Sequence, residues 1–413
     1  MFPNVPLYPV SVMQRGGNVP VACRKVRTVH AIMTFNVLVC LLIGLLWNLG
    51  PDKPGRHVVQ IPSGRFWRPQ VLSTAFWNKE QQRLDFIHNP LFLSDGQLPG
   101  WLNDTRPRDP CEPDHRVLKQ ISDYNSLPGR FQDFLLHMRC RTYHMLINQP
   151  RVCDEKPFLL LAVKSLVPHF DRRQAIRETW GRRGVFANRT VVTVFLLGHA
   201  MSVDHFPDLL EMLVHEADLY KDLLQWDYRD TFFNLTLKEV LFLEWFSQNC
   251  PHAKFILKGD DDVFVNTYRI IEHLEGVSET KARDFFIGDV ISNAGPHRDR
   301  KLKYFIPESV FVGQYPPYAG GGGYLYSGHL ALRLYNVCRQ VALYPIDDVY
   351  TGMCLMKLGL VPEKHDGFRT FDIDEKYRSN TCVYRRLMLV HSRTLREILR
   401  IWSWIVHPEL VCQ

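Results

Sequence analysis

The chain has 413 residues, with 50 lysines and arginines against 43 aspartates and glutamates. The net charge of +7 is spread along the sequence among acidic residues, which excludes the gathered basic face of a nucleic-acid groove. Its ten cysteines include no Cys-x-x-Cys pair, which argues against a structural zinc knuckle.

Residues 1–28 carry Arg15, Arg24, Lys25 and Arg27 and no acidic residue, and an apolar run from Val29 to Leu49 follows. A span of ~20 apolar residues is a membrane helix rather than a cleaved leader, and basic residues ahead of it keep the N-terminus cytosolic. The expectation is a single-pass type II membrane protein: cytosolic tail 1–28, transmembrane signal anchor 29–49, and the remainder lumenal. Prolines without sustained periodicity make 50–110 a stem, with one short helix over Thr74 to Phe86. Acceptor sequons at Asn103, Asn188 and Asn234 agree with a lumenal fate, although Asn234 equally suits a helix N-cap. Eight cysteines follow the span, suggesting disulfides, with Cys140–Cys153 and Cys354–Cys382 as local candidates.

Residues 111–413 form one large domain. Apolar strands fit Phe158–Val163, Val191–Leu197, Leu223–Trp226 and Phe255–Leu257, and helices fit 171–180, Pro207–Tyr220 and Leu235–Phe246. This alternation predicts an α/β domain with a mostly parallel central sheet flanked by helices, whose ligands bind at the carboxyl ends of the strands. The last strand ends in Asp260-Asp261-Asp262, and apolar residues resume directly afterwards. Carboxylates in such a setting need compensation, and oxygen ligands at a strand end suit Mn²⁺ or Mg²⁺, able to hold a diphosphate; helix capping is the alternative. Lys164, Arg172, Arg173 and Arg177 lie near another strand end and could meet a nucleotide, although a solvated helix face accounts for most of them.

Two later segments stand out. Four glycines, Gly320 to Gly323, adjoin Tyr315, Tyr318, Tyr324 and Tyr326, offering close backbone approach to a ligand and aromatic faces on which sugars stack. Asp347-Asp348 open an apparent helix, where one carboxylate serves as a cap and the other is placed as a base.

Taken in order, Arg177-Glu178-Thr179-Trp180, Phe195-Leu196-Leu197-Gly198, Asn234-Leu235-Thr236-Leu237-Lys238, Lys258-Gly259-Asp260-Asp261-Asp262, Tyr315-Pro316-Pro317-Tyr318 with the glycine run, and Asp347-Asp348-Val349-Tyr350-Thr351-Gly352 resemble the Golgi β-1,3-glycosyltransferases. Asp347-Asp348, where related galactosyltransferases usually have Glu-Asp, favours the N-acetylglucosaminyltransferases that make poly-N-acetyllactosamine. The resemblance implies a GT-A-type fold, a Golgi membrane location and inverting transfer from UDP-N-acetylglucosamine (UDP-GlcNAc) to the 3-hydroxyl of a terminal galactose. It implies Asp348 as base with Asp347 beside it. It also implies Asp260, Asp262 and His391 at a Mn²⁺ or Mg²⁺ ion, and donor contacts from Lys164, Arg173, Asp261, Gly322 and Gly323. Tyr304 and Tyr318 are the implied acceptor contacts. Cys338 falls outside the family pattern and raises a homo- or hetero-oligomer held by an intermolecular disulfide. A galactosyl donor, or a non-catalytic glycan-binding partner of another transferase, are the alternatives.

Overall fold

The structure, a computed structural model, describes residues 38–39, 74–88, 111–201 and 207–407. The expected tail, Asn103, and nearly all of the expected anchor and stem lie outside the described residues, and no described helix is long and apolar enough to cross a membrane. The chain divides into two compact units, Met1–Ile61 and Pro62–Gln413, and every described strand belongs to the second.

Twelve described strands are numbered in chain order: β1 Met145–Ile147, β2 Leu159–Lys164, β3 Gly184–Phe186, β4 Arg189–His199, β5 Leu223–Arg229, β6 Phe255–Asp260, β7 Val263–Val265, β8 Phe286–Ile291, β9 Tyr318–Ser327, β10 Glu363–Lys364, β11 Phe368–Arg369 and β12 Leu389–His391. The longer helices are α1 Phe76–His88, α2 Phe170–Glu178, α3 Leu210–Tyr220, α4 Leu235–Asn249, α5 Thr267–Glu275, α6 Gly328–Cys338, α7 Asp347–Lys357 and α8 Leu395–Val406. The main sheet runs β1-β5-β4-β2-β6-β9-β8-β10, with β3 beside β4. The expected alternation is present from β2 to β6, where β5, β4, β2 and β6 lie parallel. Beyond β6 the expectation of a mostly parallel sheet is corrected. β9 pairs antiparallel with both β6 and β8, so the sheet is mixed. The element that changes its character is the glycine run, read from sequence as bare backbone open to a ligand and found inside strand β9.

Both faces of the sheet are covered, as the period-two pattern of β2 shows. Leu160 and Ala162 belong to a core shared with α4, α6 and α7, while Leu159, Leu161 and Val163 join another with α2, α3, α5 and α8. A second small sheet, β11-β12-β7, stands by the carboxyl end of β6. Its register sets His391 opposite Val263, the residue after the acidic triplet, just as the β2–β6 register sets Lys164 opposite Asp260. Strand pairing thus brings together side chains far apart in sequence.

The expected disulfides are corrected. Cys140 bonds to Cys111 and Cys153 to Cys250, which ties the chain entering β2 to the end of α4. Cys354 is a buried free thiol, and Cys382 is disulfide-bonded to a partner outside the described residues. Cys338 is fully buried and free, its Sγ against the Tyr335 carbonyl, so this fold does not offer it to another chain. Proximity along the sequence misled the pairing, because contacts here are set by the sheet.

Candidate active site

The carboxyl ends of β2 and β6 meet at Lys164. Its Nζ lies 2.8 Å from Asp260 Oδ1 and 2.7 Å from Asp347 Oδ2, and donates to the Gly321 carbonyl at 3.3 Å. Lys164 is 5% exposed, so its charge is compensated by these groups rather than by water. Burial acts to lower its pKa, and the two carboxylates reverse that, holding the ammonium well above its ordinary value. The lysine expected at the donor therefore joins the acidic triplet to the first turn of α7.

The triplet's three carboxylates face different ways. Asp260 and Asp262 converge with His391, and one ligand atom from each lies within 4.8 Å of the others. His391 Nε2 is 3.4 Å from Asp262 Oδ1, while its Nδ1 meets the Thr370 carbonyl at 3.0 Å, which orients the ring. Burial raises the Asp260 carboxyl despite Lys164; Asp262 is held below its usual range, burial being outweighed by His391. The imidazole is pushed up by its hydrogen bond to Asp262. Two carboxylates and one imidazole, each partly exposed, form an oxygen-rich donor set that fits a divalent cation such as Mn²⁺. Asp261 turns inward instead. It accepts from Ser165 Oγ and His169 Nδ1, both at 2.7 Å, and from Arg172 Nη1 at 2.9 Å, pinning the β2–α2 loop to the triplet.

Arg173 is corrected as a donor contact. It is fully buried, with both nitrogens of one guanidinium edge on Glu216 at 2.8 and 2.6 Å and further bonds to the Leu166 and Val167 carbonyls. It shapes the loop from within. Arg172, which the sequence grouped with Arg173 and Arg177 without singling it out, is the one that reaches the triplet, with Nη1 also 3.9 Å from Asp262.

Asp347 and Asp348 begin α7 and have opposite environments. Burial acts to raise the Asp347 carboxyl, but Lys164 outweighs it and holds it below its ordinary value. Asp348 has no such partner. Burial and then the neighbouring Asp347 charge raise its carboxyl to about 7, poised to accept a proton near neutrality. Its Oδ1 accepts from the Val349 amide at 2.8 Å.

The glycine run makes room for these groups. A Cβ on Gly321 would sit 3.4 Å from Asp348 Oδ2, one on Gly322 2.9 Å from His391 Cβ, and one on Gly323 2.9 Å from the Lys258 carbonyl. Only at Gly323, with φ +156°, does backbone conformation add to this demand. Gly352 on α7 similarly admits Tyr318, whose Cβ would lie 2.7 Å from an added methyl. Tyr318 is placed beside the helix that carries Asp348, whereas Tyr304 stands on the exposed rim, its ring 5.3 Å from Phe232. Sequence reading missed Lys258 and Glu239, a fully buried pair in contact beneath the site. Tyr324 Oη links Glu239, at 2.9 Å, to Thr351, which bonds the Asp347 carbonyl at 3.0 Å. The signal was a lone lysine inside an apolar strand.

The sequons separate by exposure. Asn188 is exposed in a left-handed conformation at φ 61°, in the turn between β3 and β4. Asn234 is buried and its Nδ2 donates to the Arg229 carbonyl at 2.8 Å, so a glycan there would displace that bond.

Residues 171–366, which include Asp260, Asp262, the glycine run, Asp347 and Asp348 but not Lys164 or His391, match the galactosyltransferase family. The mouse protein named N-acetyllactosaminide β-1,3-N-acetylglucosaminyltransferase 2 is 56% identical over 94% of this chain and 99% of its own length. Its human counterpart is 55% identical over 94% of this chain and 99% of its own. The chain belongs to this galactosyltransferase family, within its β-1,3-glycosyltransferases. Human N-acetyllactosaminide β-1,3-N-acetylglucosaminyltransferase 4 is 44% identical over 76% of this chain and 81% of that protein. If Asp260, Asp262 and His391 hold a cation, Asp262→Ala lowers the affinity for UDP at least tenfold in Mn²⁺ and little in chelator. Titration calorimetry in both conditions reads this, and equal UDP affinity in Mn²⁺ for variant and parent would remove Asp262 from the set.

Proposed function

We propose that the protein is an inverting β-1,3-N-acetylglucosaminyltransferase of the Golgi lumen, anchored by its N-terminal segment as a type II membrane protein. Its donor is UDP-GlcNAc, its acceptor the 3-hydroxyl of a terminal galactose on N-acetyllactosamine, and its product a poly-N-acetyllactosamine extension. The observation that carries this reading is the pair Asp347-Asp348 at the start of α7, where Lys164 ties Asp347 to Asp260 of the acidic triplet and leaves Asp348 without a cationic partner. The relatives' names support the donor and the linkage.

Transfer from an α-linked donor to a β product inverts the reacting carbon, so one base suffices. Asp348 takes the proton from the acceptor hydroxyl while Tyr318 bounds the acceptor side of the cleft. Asp347 remains ionised on Lys164 and keeps the Asp348 carboxylate basic by its charge. Asp260, Asp262 and His391 would hold Mn²⁺, which when bound neutralises the diphosphate of the leaving UDP, so that no second carboxyl need protonate it. Arg172 and His169, held on the inward-turned Asp261, would brace the β2–α2 loop beside the donor groups.

The deciding assay is transfer from UDP-GlcNAc and UDP-galactose to N-acetyllactosamine, with Mn²⁺ and with chelator. Chelator-sensitive transfer from UDP-GlcNAc alone is expected. Asp348→Asn should abolish turnover and keep UDP affinity within about twofold; transfer from UDP-galactose alone would reassign the donor. The pH dependence follows from the raised carboxyl. Asp348 must be deprotonated to act, so kcat/KM falls as pH drops through about 7. Asp347→Asn removes the neighbouring negative charge, which lowers the Asp348 pKa and moves that limb toward acid; an unmoved limb in this variant would assign the titration to another group.

A further inference from the structure

Helix α1 precedes the family-matched region by more than eighty residues, yet it is sewn into the part of the fold that carries Asp348 and Tyr318. Its N-terminal amides, which no earlier turn can satisfy, donate outward, Phe76 to the Ser309 carbonyl at 2.9 Å and Trp77 to that of Val310 at 2.8 Å. Asn78 closes a two-way bond with the backbone of Val312, both distances 2.9 Å. This seam holds the segment leading to Tyr315 and Tyr318.

A second seam holds the segment leading to Asp347. Trp77 Nε1 donates to the carbonyls of Ala342 and Leu343 at 3.2 and 3.1 Å. Gln81 donates to the Gln340 carbonyl at 3.0 Å and accepts from the Ala342 amide at 2.9 Å. Residues 340–346 form neither helix nor strand, so their buried backbone groups need partners from elsewhere. Arg141 takes the Val341 carbonyl and Thr236 that of Tyr344, and α1 supplies the rest of the row from 340 to 343. At the far end of α7, Lys357 pairs with Asp85 of α1. The Trp77 indole, 6% exposed, also packs edge-on against Phe311 and Tyr344, and the Tyr344 hydroxyl bonds that of Tyr315 at 2.8 Å.

We propose that α1 is a positioning strap for the catalytic base, with Trp77 and Gln81 as positioning residues that fix the approach to α7 and so the place of Asp348. The strap touches neither the acidic triplet nor His391, whose positions come from β2, β6 and β12. Its contacts reach the segment before α7 and not the strands that carry the donor groups, so its loss is expected to lower turnover more than UDP affinity, which a general loss of folding would not do. This rests on the transferase reading and on Asp348 as its base.

The test compares the full-length chain in detergent with Trp77→Phe, which keeps an aromatic ring and removes the indole N–H, with Gln81→Leu, and with the double variant. For each, kcat and acceptor KM are measured beside the affinity and stoichiometry of UDP in Mn²⁺. The expected result is a kcat at least tenfold lower in the double variant, with UDP still bound at one site per chain and an affinity within twofold of the parent. An unchanged kcat in a double variant that binds UDP stoichiometrically overturns the strap. If the double variant binds less than one UDP, Trp77→Phe alone is read by the same rule. Absence of transfer by the parent from UDP-GlcNAc or UDP-galactose overturns the transferase reading and the strap with it, so the two failures are distinct.

Discussion

A single buried ammonium holds the two halves of this site in register. Lys164 is buried, and an unpaired buried charge of that kind costs several kcal/mol. It is satisfied only while Asp260 at the end of β6 and Asp347 at the start of α7 both face it. Movement of α7 away from the sheet would strip Asp347 of its cation and leave the buried lysine with Asp260 alone, so this ion triad fixes the distance between the group that would activate the acceptor and the groups that would hold the donor.

The triad also divides labour among the carboxylates. Asp347 and Asp260 spend part of their charge on Lys164, whereas Asp262, paired with His391, and Asp348, held only by backbone amides, remain available. Two adjacent residues of one helix turn thereby acquire opposite proton affinities without any difference in side-chain type. The glycine run completes the arrangement by subtraction. β9 presents bare backbone to Asp348 on one side and to His391 on another, and a side chain at Gly322 would collide with His391 while one at Gly321 would touch Asp348.

The parallel half of the fold was legible in the sequence because β2 to β6 obey local rules: apolar runs, helical spacing and turn residues at their ends. Asp260, Asp262, Asp347 and Asp348 were legible because charge interrupting an apolar pattern is conspicuous. What escaped was non-local. The antiparallel entry of β9 has no signal in a tyrosine- and glycine-rich segment that reads as bare backbone open to a ligand, and the Cys153–Cys250 bond joins elements that only the sheet makes neighbours. Lys164 and Arg173 look alike as basic residues after a strand, yet one faces the site and the other is buried on Glu216, a difference set by which way each side chain leaves the backbone. Helix α1 was expected as a short helix in a spacer, and nothing in its own residues disclosed that its tryptophan and glutamine satisfy a backbone more than 250 residues away.

The coupling of the two halves through Lys164 is tested most directly by a double-mutant cycle on kcat/KM with Lys164→Met and Asp347→Asn. Residues that act as a unit are non-additive. Each single variant is predicted to lose at least tenfold, and the double variant to lose no more than the worse of the two. Losses that multiply would mean that Lys164 and Asp347 serve the reaction independently, and the account of a single ion triad holding the site together would be wrong.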